Sequence, residues 1–207
     1  MGLLNEMTEN YTNCILGRAI VTTIIPGGSA IDMAITQKWS NYQQNRWNDL
    51  LNNFKLELKR VDSSKIDRAF VESEEFHDII KKLVFDSLMN GMPEKRVAYP
   101  RAVVDYLENP THIFNLEDAI NSISNIKERE LRYIKRISEL VRVKPKFQAD
   151  DFIGKIGDIV YSVEDTNKHL YRLANYDIID YSRNTLTINP AFYITPLGEK
   201  LLKYLGF

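Results

Sequence analysis

The sequence predicts a mainly α-helical protein: an all-helical domain over residues 1–147, then a small α+β domain over 148–207 with a two- or three-stranded β-ribbon. Three observations predict this class. Apolar residues recur at three- and four-residue steps through most of the first 145 positions, the period of an amphipathic helix. Proline, glycine and the capping residues Ser, Asp and Asn interrupt that period at intervals of about one helix length. From about Ala149, β-branched and aromatic runs broken by polar turn residues appear for the first time. The chain of 207 residues has room for one large domain or two small ones. With 44% apolar and 27% charged residues it is not a disordered chain, and nine glycines and seven prolines exclude collagen-like or low-complexity architecture.

The elements follow in order. Thr8 to Ile25 reads as a first helix, stopped by Pro26-Gly27-Gly28. Ser29 suits the N-cap of a long second helix reaching about Arg60, with Tyr42, Leu50, Phe54, Leu58 and Val61 on its inner side and Gln44, Asn45, Asn52 and Asn53 opposite. A short helix follows Asp62-Ser63-Ser64 and ends near Val71. Ser73 before Glu74 and Glu75 is a strong start signal, because the hydroxyl accepts an orphan amide proton and the carboxylates favour the positive end of the helix dipole. Phe76, Ile79, Ile80, Leu83, Val84 and Leu88 face inward, and Gly91 is the expected stop. Pro93 fits the first turn of the next helix, to Leu107, and Pro100 is expected to bend or break it. After Asn109-Pro110, Asn115 caps a helical stretch interrupted near Ser124-Asn125 and continuing to Val143, and Pro145 closes the helical body.

Asp150–Ile156 suits a short helix and Asp158–Tyr161 a brief extended segment. Ser162-Val163-Glu164-Asp165 has capping-box form and opens a helix to Asn175. Asp177–Tyr181, the turn Ser182-Arg183-Asn184, and Thr185–Ile188 read as strand, turn, strand; Phe192–Thr195 extends the second arm. Pro196 begins a final helix to Leu205.

Charge and cysteine content bound the function. Lys plus Arg number 27 and Asp plus Glu 28, so the net charge is −1 and any nucleic-acid affinity must come from a local patch. Cys14 is the only cysteine and is expected to be a buried, inert thiol; with no leader segment, a cytoplasmic location is the expectation. Cys14–Ile35 is apolar and long enough to span a bilayer, but Arg18, Asp32 and Pro26-Gly27-Gly28 divide it. It reads as a buried helix–turn–helix corner. A membrane-active effector that inserts this hairpin is the alternative.

Catalysis is not expected. The histidines His77, His112 and His169 are far apart in sequence, and phosphate-loop, G-x-S-x-G, H-E-x-x-H and Cys-x-x-Cys patterns are all lacking. Glu74-Glu75-Phe76-His77 has the Glu-x-x-His spacing of carboxylate-bridged metal bundles, but no second copy accompanies it, and His77 reads as a surface residue. No metal or small-molecule cofactor is expected. The strongest positive patch is Lys127, Arg129, Arg132, Lys135, Arg136, Arg142, Lys144 and Lys146, set against Glu128, Glu130 and Glu139. On a helix Arg129, Arg132 and Arg136 fall on or near one face beside Lys135, a spacing suited to phosphates. The same charges also suit a solvated face of local ion pairs.

The order helix, Leu170-Tyr171-Arg172-Leu173, apolar strand, hairpin, then Ile194-Thr195-Pro196-Leu197-Gly198 resembles bacterial winged-helix domains over about Ala149–Phe207. That resemblance implies that the helix after Ser162 enters a major groove, with Asn167, Lys168 and Arg172 as base readers and Arg183 on the wing. Glu164 and Asp165 at its entering end oppose phosphates. Pro26-Gly27-Gly28-Ser29-Ala30-Ile31, Phe70–Phe76 and Glu94-Lys95-Arg96 resemble helical proteins of the abortive-infection alpha type over roughly residues 20–145, which implies a role in phage defence.

The resulting expectation is a non-enzymatic binding protein that takes double-stranded DNA or a protein partner through its tail and adjacent basic helix. A purely structural or protein-interaction module is a further alternative. Trp39 and Trp47 on the long helix are candidate anchors of a homodimer.

Overall fold

The computed structural model describes residues 41–61, 66–109, 115–152, 162–182 and 190–207. Several sequence expectations therefore lie outside the described residues: the Cys14–Ile35 hairpin, Trp39, His112, the segment Asp158–Tyr161 and the turn bearing Arg183. Among the described residues the chain is mainly helical, with one small two-stranded antiparallel sheet. It divides into two compact units, residues 1–120 and 121–207. The division expected at 147/148 falls inside the second unit.

The first unit contains α1 (Asn41–Leu58), α2 (Arg68–Val71), α3 (Glu74–Met89) and α4 (Pro93–Glu108). Helix α5 (Leu116–Asn125) contains the division point. Helix α1 packs against α3 and α4. Its inner stripe of Trp47, Leu50, Leu51, Phe54 and Leu58 is buried with the inner faces of α3 and α4, including Phe76, Ile80 and Tyr99. Tyr42, expected on that inner side, is 76% exposed. Trp47 is 2% exposed, so it fills the core and has no surface with which to anchor a dimer.

The start of α3 follows the sequence: Ser73 is in extended conformation and its Oγ accepts from Phe76 N at 3.2 Å. Its end does not. The helix stops at Asn90, also extended, instead of at a left-handed Gly91. Arg46 Nη1 donates to Leu88 O at 2.8 Å, a carbonyl that a glycine cap would satisfy, and Arg96 Nη1 donates to Asn90 O just beyond the helix at 3.2 Å. Pro100 neither ends nor interrupts α4, which runs on to Glu108. Tyr99, Ala102 and Val103 are buried around it, and that burial outweighs the roughly 3 kcal/mol that an interior proline costs. Lys95 and Arg96 also lie inside. Lys95 Nζ is 3.8 Å from Asp86 Oδ2, a carboxylate that also accepts from the Tyr99 hydroxyl, and Arg96 Nη2 is 3.5 Å from Asp49 Oδ2.

The second unit continues with α6 (Glu128–Val141), a 3₁₀ turn (Ala149–Phe152), α7 (Val163–Ala174), β1 (Ile179–Tyr181), β2 (Phe192–Ile194) and α8 (Pro196–Leu205). The strands pair antiparallel, Ile179 opposite Ile194 and Tyr181 opposite Phe192. The partner of β1 is thus the segment read from sequence as an extension; Thr185–Ile188 lies outside the described residues. Phe147 adds a single bridge, its amide and carbonyl both bonded to Phe192 at 2.9 and 2.8 Å. Helix α7 packs on α6, the 3₁₀ turn and β1, and α8 packs on α6.

A clasp joins α8 to the strands. Thr195 Oγ1 accepts from Gly198 N at 2.9 Å, capping the helix, and donates to Asp177 O. Gly198 must be glycine here, because a Cβ would lie 1.9 Å from Ile178 O and 2.8 Å from Ile194 Cγ1. Backbone cannot yield as a flexible side chain does. Gly198→Ala is therefore expected to lower stability by about 1–3 kcal/mol, the range for overpacking. Urea unfolding of the full chain measures it, and an unchanged midpoint would show that α8 does not dock this closely.

Candidate nucleic-acid interface

Helix α6 is strongly divided. Leu131, Tyr133, Ile134 and Ile137 are buried, whereas Glu128, Arg129, Arg132, Lys135 and Glu139 are exposed and Arg136 is half-buried. The outward face thus carries four cations against two carboxylates. Arg142 and Lys146 are exposed just beyond it, and Lys144 is half-buried. From Arg129 to Arg142 the helical rise is about 20 Å, some six base pairs of duplex. The residues from 121 onward hold 14 Lys and Arg against 11 Asp and Glu, whereas 1–120 hold 13 against 17.

The candidate cations divide by partner. Arg132 pairs with Glu128 at 3.0 Å and Arg136 with Glu139 at 2.6 Å, both within one helical turn at the surface. Such pairs are worth about 0–1 kcal/mol and exchange readily for another anion. Lys144 is held by Asp151, which also accepts from the amide of Gln148. Lys135, Arg142 and Lys146 have no carboxylate partner among the described residues.

Helix α7 is a less welcoming surface. Ser162 Oγ accepts from Asp165 N at 3.1 Å and donates to Asp165 Oδ2 at 2.9 Å, which holds that carboxyl below its usual range. Lys168 sits 3.0 Å from Glu164 and 3.6 Å from Asp165, and the Glu164 carboxylate holds its ammonium above the ordinary value. Asn167 is half-buried with its Oδ1 turned inside and unbonded. Arg172 points to Glu130, Nη1 to Oε1 at 3.3 Å. The three base readers expected on this helix are therefore not equivalent: Lys168 and Arg172 are paired with carboxylates, and Asn167 turns its Oδ1 inward. Arg183 lies outside the described residues. Tyr171 remains 39% exposed while its ring edge meets Tyr181 and Phe192.

The group that organises this surface was read in sequence only as one of the acids opposing the patch. Glu130 is 1% exposed. Its Oε2 accepts from Lys127 N at 2.9 Å, satisfying an orphan amide at the start of α6. Its Oε1 faces α7, with Arg172 Nη1 at 3.3 Å and His169 Nδ1 at 3.7 Å. His169 is buried and stacks on Tyr133, ring centroids 4.9 Å apart. Burial holds its pKa below the ordinary imidazole value; Glu130 opposes that shift, while Arg129 and Arg172 add to it. The one available sequence signal was Glu130 at the third position of a helix, where a carboxylate reaches back to the first amide.

Among the described residues no three His, Cys, Asp or Glu side chains gather as a metal site, and no helix is long and apolar enough to cross a membrane. Searches against protein-family models, curated proteins and solved structures find no match to the chain.

The sign of the His169 shift fixes a pH dependence. A folded state that binds this proton less readily than the unfolded chain keeps its full stability above the unfolded pKa of about 6.5, and loses it as pH falls. Wild type is expected to lose more stability between pH 7.5 and 5.5 than His169→Gln. Paired urea titrations at the two pH values check this, and equal losses would place the histidine in water.

Proposed function

We propose that the chain is a non-enzymatic binding protein whose second unit is a winged-helix-like module that contacts double-stranded nucleic acid. The contact is made through the outer face of α6 and the segment after it. The observation that carries the reading is the set Lys135, Arg142 and Lys146, exposed cations without carboxylate partners among the described residues. They extend the face that also bears Arg129 and Arg132. Arg132, Arg136 and Lys144 join them by exchanging surface carboxylates for phosphates.

The succession α6, α7, β1, β2, α8 supports the module assignment through the order of its elements. In this reading the backbone of the nucleic acid is gripped by α6. Base reading by α7 is a minor element, because Glu164 and Asp165 already neutralise Lys168 and face any approaching phosphate. Affinity is therefore electrostatic, weakly sequence-selective and steeply dependent on salt, since each phosphate neutralised releases condensed counterions.

Fluorescence anisotropy with a 20-base-pair duplex tests this at 50 and 200 mM salt. Arg132→Glu with Lys135→Glu is expected to weaken binding at least tenfold at the lower salt and to flatten the log–log salt dependence by about 2. Absence of wild-type binding at 50 mM salt would overturn the reading and leave protein partners as the class to search.

A further inference from the structure

Glu130 Oε1 accepts no hydrogen bond among the described residues and faces two ionisable groups with unequal access to water. Arg172 reaches it at 3.3 Å with 43% of its side chain exposed; His169 Nδ1 stands at 3.7 Å with 10% exposed. The other oxygen is taken by the amide of Lys127, so Glu130 cannot turn to serve both donors separately.

We infer that Glu130 is a proton-operated latch: protonated His169 takes Oε1 and releases Arg172 to the polyanion surface. This rests on the nucleic-acid reading above and adds its regulation. The physical argument is one of burial. An imidazolium against Tyr133 has little water and needs a counterion within reach, and the buried carboxylate of Glu130 stands 3.7 Å away. A guanidinium that is nearly half exposed is solvated wherever it swings, so it is the partner that leaves. Repulsion between the two cations acts in the same direction.

The other charged groups near His169 among the described residues come from each element packed against α7. Helix α6 contributes Arg129, which disfavours the proton, and the stacked ring of Tyr133. Helix α7 contributes Asp165, already engaged with Ser162 and Lys168. The 3₁₀ turn packed on α7 carries Asp150 and Asp151, the latter bound to Lys144, and β1 carries Asp180, which accepts from the Tyr193 hydroxyl at 2.6 Å. Protonation adds one cation to the surface as Arg172 turns outward. It needs no change of fold.

The test is the salt dependence of duplex binding by the full chain at pH 8.0 and pH 5.8, with circular dichroism at both. One further phosphate contact steepens the log–log slope by about 0.9. Wild type is expected to show that steepening at pH 5.8, and His169→Gln, which cannot take the proton, is expected to keep its pH 8.0 slope. In parallel, the His169 ring resonances are followed against pH: Arg172→Gln is expected to raise the titration midpoint and Glu130→Gln to lower it.

Equal steepening in wild type and His169→Gln would overturn the latch while leaving nucleic-acid binding intact. So would a ring midpoint indifferent to Arg172→Gln. Absence of duplex binding at both pH values would instead overturn the nucleic-acid reading, and with it the regulation.

Discussion

A buried carboxylate is costly unless hydrogen bonds and counterions meet it, and at Glu130 the second unit supplies a hydrogen bond from Lys127 N to one oxygen and an ion pair with Arg172 at the other. One oxygen closes the first turn of α6; the other requires donors from a different helix. His169 and Arg172 are three residues apart, so both lie on the same side of α7, and meeting Oε1 fixes which side of α7 is turned to α6. Thr166, Leu170 and Leu173 are then turned inward, and Lys168 and Tyr171 outward. The face offered to a partner is thus set by an interaction that the partner never touches.

The first unit solves a related problem differently. Its cations at Arg46, Lys95 and Arg96 serve the fold: one guanidinium donates to Leu88 O at the end of α3, the other to Asn90 O just beyond it, and the ammonium is tied to Asp86. Cations engaged in this way are not available to grip a ligand. A count of Lys and Arg along this chain therefore overstates what any ligand meets, and burial and pairing decide which charges it can touch.

What could be read from sequence was what is decided locally. The caps at Ser73 and Ser162 were legible because a hydroxyl bonding an amide three residues on needs no tertiary partner. So were the break between α5 and α6 and the start of the last helix at Pro196. What failed depended on distant residues: arginines from α1 and α4 replaced the expected glycine stop, packing overrode Pro100, Trp47 went inside and Tyr42 outside. The candidate interface divides in the same way. The cations of α6 could be named from spacing, but the pairing of Arg172 and the burial of Glu130 required knowing that α6 and α7 face each other. Periodicity alone does not tell which helix an inward side chain will meet.

The near-cancellation of charge over the whole chain, with an excess of bases in one unit and of acids in the other, has a kinetic consequence. Such a molecule has little monopole to draw a polyelectrolyte from afar. Under physiological ionic strength the field of the α6 face extends only about 8 Å into solution. Capture then begins within the last nanometre of an encounter, so orientation on arrival limits the association rate more than long-range pull.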